Sequence, residues 1–216
     1  MRIRKTLTVA AASIVVLSTL ATTAEAAPAT PTQATTGLQK QIDEQIRNYG
    51  GVQVSDNAVS YENGSVVMVF PDPGEETAPD GLGDGIRTAK AKRDNLLKNA
   101  QAPAARGANV EGCPQGWTEG GRWYCFYEHK NFKGRRLQFN ETERQYASNY
   151  GFNDKTSSWV NTNKSGSNTW YTWNHVNKNW HVSGFLWEMY AGSKSSYVGN
   201  AANDKMSAWC MPGKCI

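Results

Sequence analysis

The sequence predicts an all-β domain over residues 113–216 in which one structural unit is used twice. Two observations carry this prediction. The segment NDKTSSW at residues 153–159 recurs 50 positions later as NDKMSAW at residues 203–209, and five of the seven positions are identical. Short aromatic segments broken by Gly and Asn precede both copies, as is typical of all-β domains. The expected architecture is a single sandwich.

Residues 1–26 have the features of a secretory signal peptide. Basic residues precede an apolar run over residues 7–20, and Ala24-Glu25-Ala26 forms a small-x-small cleavage site. The apolar run is shorter than the ~20 residues that cross a bilayer. We therefore expect a secreted, extracellular protein with no membrane association after signal cleavage.

The chain between the signal peptide and residue 113 is predicted to hold one small folded segment between two linkers. The predicted boundaries are 27–37 for the first linker, 38–70 for a helix and hairpin, and 71–112 for a flexible linker rich in Pro, Gly and charge. Apolar residues at every fourth position predict the helix over 38–49. The hairpin strands are predicted at 52–54 and 65–70. This segment is either a removable pro-segment or a unit that docks on the C-terminal domain.

The four cysteines are predicted to form two disulfide bonds. They are an even set in a chain predicted to be exported. Four cysteines allow three pairings, and the simplest joins Cys113 to Cys125 and Cys210 to Cys215 because each bond then closes a short loop. The sequence has no C-x-x-C pair and no histidine at zinc-finger spacing, which argues against a zinc site.

Six strands are predicted in the C-terminal domain from its aromatic segments and the turn residues between them. They are placed at 122–128, 135–139, 157–161, 169–174, 184–190 and 206–211. Aromatic residues are expected to supply most of the core. The aliphatic and phenyl side chains expected to complete it are Leu137, Phe139, Phe152, Val160, Val182 and Leu186.

The first copy has a glycine where the backbone is expected to fold sharply. In YEHKNFKG, residues 127–134, the spacing is aromatic, four residues, aromatic, one residue, glycine. Glycine permits φ > 0 and leaves room for a ring over the hairpin. This spacing, followed about 20 residues later by N-D-x-x-S-S, resembles the Greek-key motif of the βγ-crystallins. The resemblance implies two Greek-key motifs in one sandwich and paired calcium sites at its top.

A longer stretch carries a second resemblance. The segments WYCFYE, NFKGRRL and YGFNDKTSSW, preceded by Cys113-Pro114, resemble the secreted peptidase inhibitor family typified by the Streptomyces metalloproteinase inhibitor. The resemblance implies an extracellular protease, with metalloproteases favoured, as the partner.

The segment CMPGKC is the candidate inhibitory loop. A disulfide ring of six residues is rigid, and rigidity lowers the entropic cost of binding a protease cleft. Met211 is expected to be exposed and to fill an apolar pocket of a thermolysin-like protease. Alternatively, the bond only ties the C-terminus to the last strand. The residues concerned are Cys210, Met211, Pro212, Gly213, Lys214 and Cys215.

The two N-D-x-x-S segments offer oxygen ligands of the types that calcium accepts. The alternative is a pair of turns whose side chains bond their own backbone. The crystallin resemblance implies backbone carbonyls, hydroxyls, carboxylates and amides as ligands, exchanged between the copies. The candidate residues are Glu128, Asn153, Asp154, Lys155, Ser157, Asn203, Asp204, Lys205 and Ser207.

A surface for cell-wall polysaccharide is a third hypothesis, of a different class. Flat aromatic rings stack on sugars, and residues 113–216 hold 12 basic and 7 acidic residues, which suits an anionic polymer. The aromatic residues concerned are Trp170, Tyr171, Trp173, Trp180 and Trp187. An enzyme is not expected, since H-E-x-x-H, G-x-S-x-G and phosphate-binding loops are absent from the sequence. Nucleic acid is not expected either, because the charge is modest and the chain is predicted to be exported.

Overall fold

The computed structural model describes residues 31–81, 108–115, 123–140, 143–163, 170–176, 182–211 and 213–215. The predicted signal peptide, residues 82–107 of the predicted linker, Trp180 and Pro212 lie outside these ranges. No helix within the described residues is long and apolar enough to cross a membrane.

The described elements are mostly strands. They are α1 (Pro31–Tyr49), β1 (Val52–Ser55), β2 (Ala58–Tyr61), β3 (Val66–Val69), β4 (Ala108–Val110), β5 (Cys113–Gln115), β6 (Tyr124–His129), β7 (Lys133–Phe139), β8 (Gln145–Tyr146), β9 (Ser158–Asn161), β10 (Trp170–Val176), β11 (Val182–Met189), β12 (Lys194–Ser195) and β13 (Ala208–Cys210). The six strands predicted in the C-terminal domain correspond to β6, β7, β9, β10, β11 and β13, which confirms the all-β prediction. The two-residue strands β8 and β12 were not predicted.

The two sequence copies exchange one strand each between two sheets. The first sheet has the order β1-β2-β3-β7-β6-β9-β12, and the second sheet has the order β11-β10-β13-β8. β12 follows the hairpin of the second copy but pairs with β9 of the first, while β8 of the first copy pairs with β13 of the second. This exchange is consistent with two Greek-key motifs in one sandwich. It also places β7 and β11 at equivalent positions.

The main core lies between the two sheets. The Trp209 ring, fully buried on β13, contacts the rings of Phe126 and Phe139 in the first sheet at centroid distances of 5.0 and 4.9 Å. The predicted core residues Leu137, Phe139, Phe152 and Val160 are buried, whereas Leu186 and Val182 are only partly buried. Aromatic side chains therefore join the sheets, as the sequence predicts.

The glycine of the first hairpin adopts the predicted conformation. Gly134 has φ 77°, and a Cβ at this position would lie 2.9 Å from the Cβ of Glu128. The rings of Tyr127 and Phe132 meet edge to face beside it at 5.4 Å. Gly184, 50 positions later, has φ 69°, so the second hairpin uses a glycine in the same way.

The segment predicted as a helix and hairpin is an integral part of the first sheet. β3 pairs with β7 from Val66 opposite Phe139 to Val69 opposite Arg136, and all four β3 residues are buried. On α1, the Gln45 side-chain amide donates to the Tyr61 hydroxyl and to the Tyr150 carbonyl, both at 2.8 Å. Of the two alternatives, the docked unit is the one present in this structure.

Two boundaries of this segment differ from the prediction. The hairpin is a three-stranded meander, because Asp56 and Asn57 form a tight turn that returns the chain as β2. The sequence predicts one turn, at Glu62-Asn63-Gly64, between the strands 52–54 and 65–70; that turn is present, but strand β2 before it was not predicted. The helix begins at Pro31, inside the predicted first linker, rather than at Leu38.

The predicted flexible linker is also wrong for residues 76–81, a strap that lies against the first sheet. The guanidinium of Arg136 is fully buried and donates to the carbonyls of Ala78 and Pro79 at 3.4 and 2.7 Å. Gly81 N donates to Gly112 O at 3.1 Å, which joins the two described ends of the segment. A buried cation that finds partners on this strap holds it in place.

Both predicted disulfide bonds are present. Cys113 is bonded to Cys125, and Cys210 is bonded to Cys215. The first bond lies in a second apolar cluster, on the face of the first sheet that points away from the main core. The second closes the ring that follows β13.

Candidate functional site

The repeated heptapeptides form two loops that lie side by side with matching backbone bonds. Asp154 N donates to Met206 O at 3.0 Å, and Asp204 N donates to Thr156 O at 3.2 Å. The two bonds are equivalent, because Asp154 and Asp204 are 50 positions apart, as are Thr156 and Met206. Asp154 and Asp204 also share the left-handed conformation, with φ 55° and 53°. The two copies therefore meet through their loops about an approximate two-fold axis.

Three oxygen atoms from three segments converge at the first loop. The Ser157 hydroxyl donates to Glu128 O at 2.9 Å and lies 3.5 Å from Oδ1 of Asp204. A carbonyl, a hydroxyl and a carboxylate are oxygen ligands that calcium accepts. In the equivalent position of the second loop stand Asp154 and Ser207. The structure thus brings part of the predicted ligand set together, across both copies.

The other predicted ligands are engaged differently. The Glu128 carboxylate is bound by the Arg135 guanidinium at 2.8 and 2.9 Å. Burial opposes ionisation of Glu128, but the hydrogen bonds and charge of Arg135 outweigh it and lower the pKa of that carboxyl. The Asn153 and Asn203 amides donate to the carboxylates that follow them, at 2.7 and 2.6 Å.

These contacts define the kind of cation that fits. Oδ1 of Asn203 is buried without a hydrogen-bond partner, so one further oxygen remains available. Over the described part of the chain, no group of three or more His, Cys, Asp or Glu side chains could hold a metal ion. A cation bound here would therefore be held mainly by neutral oxygens with one carboxylate, which suits a weak calcium site rather than a transition-metal site.

The disulfide ring after β13 is a compact turn, and Met211 is not the exposed side chain that the sequence predicts. Met211 is partly buried and packs against the main core. Its carbonyl accepts from Lys214 N at 2.9 Å. Packing of the thioether against the sandwich explains the difference, and the exposed described residues of the ring are Gly213 and Lys214.

The predicted aromatic face is described only in part. Trp180 and the side chains of Trp170 and Trp173 lie outside the described residues, while Tyr171 and Trp187 are partly buried. The rings that do reach solvent near this region are Phe185 and Tyr190, which are 50% and 59% exposed. The sequence interpretation missed both, and because they lie five positions apart, alternation along the strand could not have indicated them together.

The aromatic exposure accompanies an open sheet edge. β11 is the outermost strand of the second sheet, and its described pairing is with β10 alone. The Phe185 ring packs edge to face on Tyr171 at 5.9 Å, beside that edge.

Comparison with known proteins gives one family and one group of folds. Residues 106–183 match the model of peptidase inhibitor family I36. A βγ-crystallin from Ciona intestinalis is 22% identical, with 41% of this chain covering 98% of that chain at a TM-score of 0.31. A βγ-crystallin domain from Clostridium beijerinckii is 23% identical, with 41% of this chain covering 94% of it at a TM-score of 0.32. No curated protein sequence matches the chain.

The family match covers β4 through β10 and the start of β11, and it includes the first heptapeptide loop. The second loop and the disulfide ring lie beyond it. The fold is assigned from the exchange of β8 and β12 between the two sheets. The matches to solved structures are not used for this, because their TM-scores are low. Residues 106–183 of this chain are thus similar to peptidase inhibitor family I36.

Proposed function

We propose that this chain is a secreted inhibitor of extracellular peptidases, with metallopeptidases as the first class of target. The observation that carries the proposal is the match of residues 106–183 to an inhibitor family. A rigid surface at one end of the second sheet supports it. An inhibitor of this kind needs a surface that enters a cleft at low entropic cost and is not released after cleavage.

The disulfide ring has this rigidity. Cys210 is fully buried on β13, the turn is closed by the Lys214 N to Met211 O bond, and Lys214 Nζ pairs with Glu143 Oε1 at 2.9 Å. A peptide bond cut between Cys210 and Cys215 would leave both halves joined by the disulfide, so the product could not leave. Because Met211 is packed inward, Gly213 and Lys214 are the ring residues, among those that the structure describes, that a partner would meet.

Tyr190 extends the same surface. Tyr171 on β10 stands opposite both Cys210 of β13 and Glu188 of β11. The ring and the end of β11 therefore project from the same end of the second sheet. Tyr190 follows β11 directly and is 59% exposed, and exposed tyrosines frequently dominate the energy of protein interfaces.

The test is an inhibition assay of the purified full-length secreted chain against thermolysin, a subtilisin and papain. We expect inhibition of thermolysin, and about tenfold weaker inhibition for Tyr190→Ala and for Lys214→Ala. Tyr197→Ala is the matched control, since Tyr197 is also exposed but belongs to the segment around β12. The proposal fails if the folded chain inhibits none of the three enzymes.

We further propose calcium binding as a second function, compatible with the first. The specific observation in its favour is the convergence of Glu128 O, Ser157 Oγ and Asp204 Oδ1. These atoms would hold the ion at the first loop, and Asp154 and Ser207 would contribute at the second. A bound cation would supply positive charge between segments of both copies and so join them.

Calcium titration against thermal unfolding tests this second proposal. A ligand that binds only the folded state raises Tm by mass action, so millimolar calcium should raise it by several degrees in the wild-type chain. Asp204→Asn should remove most of the shift, and Asp56→Asn, on an exposed turn, should keep it. An unchanged wild-type Tm would exclude the sites at that concentration.

A further inference from the structure

We propose that the outer edge of β11 binds the target peptidase by antiparallel strand addition. This inference rests on the proposed inhibitory function and names the surface that performs it. In strand addition, an extended segment of one protein pairs through main-chain hydrogen bonds with the free edge of a sheet in another.

The fold itself shows what covers an edge of this kind. Strand β7, the counterpart of β11 displaced by 50 positions, is paired along its outer edge with β3 of the same chain. Gly134 N of β7 also donates to Glu76 O at 2.7 Å. Over the described residues, the equivalent edge of β11 has no such strand. The same structural unit thus takes an antiparallel strand on one side of the molecule and offers the same edge on the other.

The backbone of β11 presents free hydrogen-bonding groups on that edge. Both the N–H and the carbonyl of Trp187 are used by the Thr172 hydroxyl of β10, at 3.1 and 2.9 Å. Successive residues of an antiparallel strand direct these groups to alternate sides. The pairing shifts register beside Trp187, so only the groups that share its two peptide bonds are fixed. The Leu186 carbonyl and the Glu188 N–H point outward, away from β10, because the C=O and N–H of a trans peptide point in opposite directions.

Apart from the β-bulge opposite Thr172, where the pairing of β10 and β11 shifts register, the edge lacks the features that usually block strand addition. Protected edges are short, or carry several charges or a proline. β11 has eight residues, VSGFLWEM, with Glu188 as its single charge and no proline. The other described edge strands are shorter, at four residues for β1, three each for β4 and β5, and two each for β8 and β12.

The peptidase is the occupant that best fits this edge. Peptidases bind their substrates in extended form, so a substrate-like strand is the ligand that their clefts accept. The end of β11, with Tyr190 after it, lies at the same end of the second sheet as the disulfide ring after β13, so one partner could contact both. The half-exposed Phe185 ring, packed on Tyr171, adds an apolar contact beside it.

The experiment compares Glu188→Pro with Glu188→Ala in the full-length chain. Both variants lose the carboxylate and its contact with Tyr190, but only proline removes the N–H that faces the open edge. We expect inhibition of thermolysin to weaken by about tenfold or more for the proline variant and by about threefold or less for the alanine variant. Circular dichroism and thermal unfolding check that both variants are folded.

The outcomes separate this inference from the proposed function. Equal inhibition by the two variants overturns strand addition while leaving the inhibitory function intact. A wild-type chain that inhibits no peptidase overturns the function itself. Sedimentation of the free chain gives the remaining outcome: a concentration-dependent dimer that Glu188→Pro dissociates and Glu188→Ala does not would assign the edge to a second copy, and would overturn the peptidase assignment.

Discussion

Strands β7 and β11 hold equivalent places in the two copies, yet their surroundings differ on every side. The first is covered by the meander β1-β2-β3 and by the strap at residues 76–81, and five of its seven residues are buried. The second is an edge strand with three exposed residues in succession, Ser183 to Phe185. The duplicated unit has therefore been kept as a scaffold, while the N-terminal segment closes only one of its two edges.

The side chains of the two strands follow this difference. Arg136 of β7 is buried and holds the strap, whereas the residue 50 positions later is Leu186, which is only partly buried. Arg135, which binds Glu128, corresponds to the exposed Phe185. The covered strand carries polar groups with fixed partners, and the open strand carries apolar groups near solvent, as expected if the partner of β11 is another protein.

Proline at position 138 of β7 and at the equivalent position 188 of β11 should give the largest difference in the free energy of unfolding. Gln138 lies in a strand with partners on both sides, so Gln138→Pro breaks a buried ladder and should lower the free energy of unfolding by about 3 kcal/mol or more. Glu188→Pro removes an outward N–H and should cost about 1 kcal/mol or less. Chemical denaturation measures both, with the alanine variants as controls. Equal losses would contradict the view that β11 is an open edge.

The two disulfide bonds should also differ in how much they stabilise the fold, with the larger contribution from the bond beside the covered sheet. The Cys113–Cys125 bond spans 12 positions and lies in the cluster behind the covered sheet, while Cys210–Cys215 spans 5. In the chain-entropy relation these loops correspond to about 3 and about 2 kcal/mol. Denaturation of the two double-alanine variants should show the larger loss for the first. The reverse order would mean that the Cys210–Cys215 bond stabilises the fold more than the Cys113–Cys125 bond does.

Removing the buried guanidinium should detach the strap. Arg136→Met keeps most of the side-chain volume but leaves the carbonyls of Ala78 and Pro79 without their donor, and we expect a loss of about 2 kcal/mol. Proteolysis should then cut residues 76–81 more rapidly than in the wild type. Leu186→Ala, at the equivalent position of β11, should cost about 1 kcal/mol and leave the strap protected.

The Glu128 to Arg135 pair should give the smallest effect and a defined pH dependence. Because the pKa of Glu128 is lowered in the folded state, its stabilising charge acts fully above about pH 4.5 and is lost as the pH falls through the lower folded value. Glu128→Gln should therefore cost about 1 kcal/mol near neutral pH, and the difference from wild type should shrink in acid. A difference independent of pH would show that packing, not charge, is responsible.

The sequence predicts the repeated unit well because each copy carries local signals. The heptapeptides, the glycine at position 134 and the aromatic segments all act within about 30 residues. The segments that cover β7 depend instead on contacts between residues far apart in the sequence. Strand β2 has only four residues, AVSY, between two turns, and so gives little local signal. Nothing local in the sequence distinguishes residues 76–81 from a linker, since their anchor is Arg136 on another strand.

The candidate site shows the same limit. The paired loops follow directly from the repeat, and the structure brings Ser157 and Asp204 together as an exchanged pair. The orientation of Met211 could not be predicted, because it depends on space left by the sandwich beneath the ring. The open edge of β11 was equally hidden, since an edge is defined by the absence of a neighbour and not by the strand's own residues.

Amide hydrogen exchange, measured on the secreted chain alone and with its target peptidase, tests the central claim most directly. The account predicts that the amide of Glu188 exchanges rapidly in the free protein and becomes protected in the complex, while the amides of β7 are protected in both. Slow exchange of the Glu188 amide in the free monomer, or no gain of protection on binding, would contradict it.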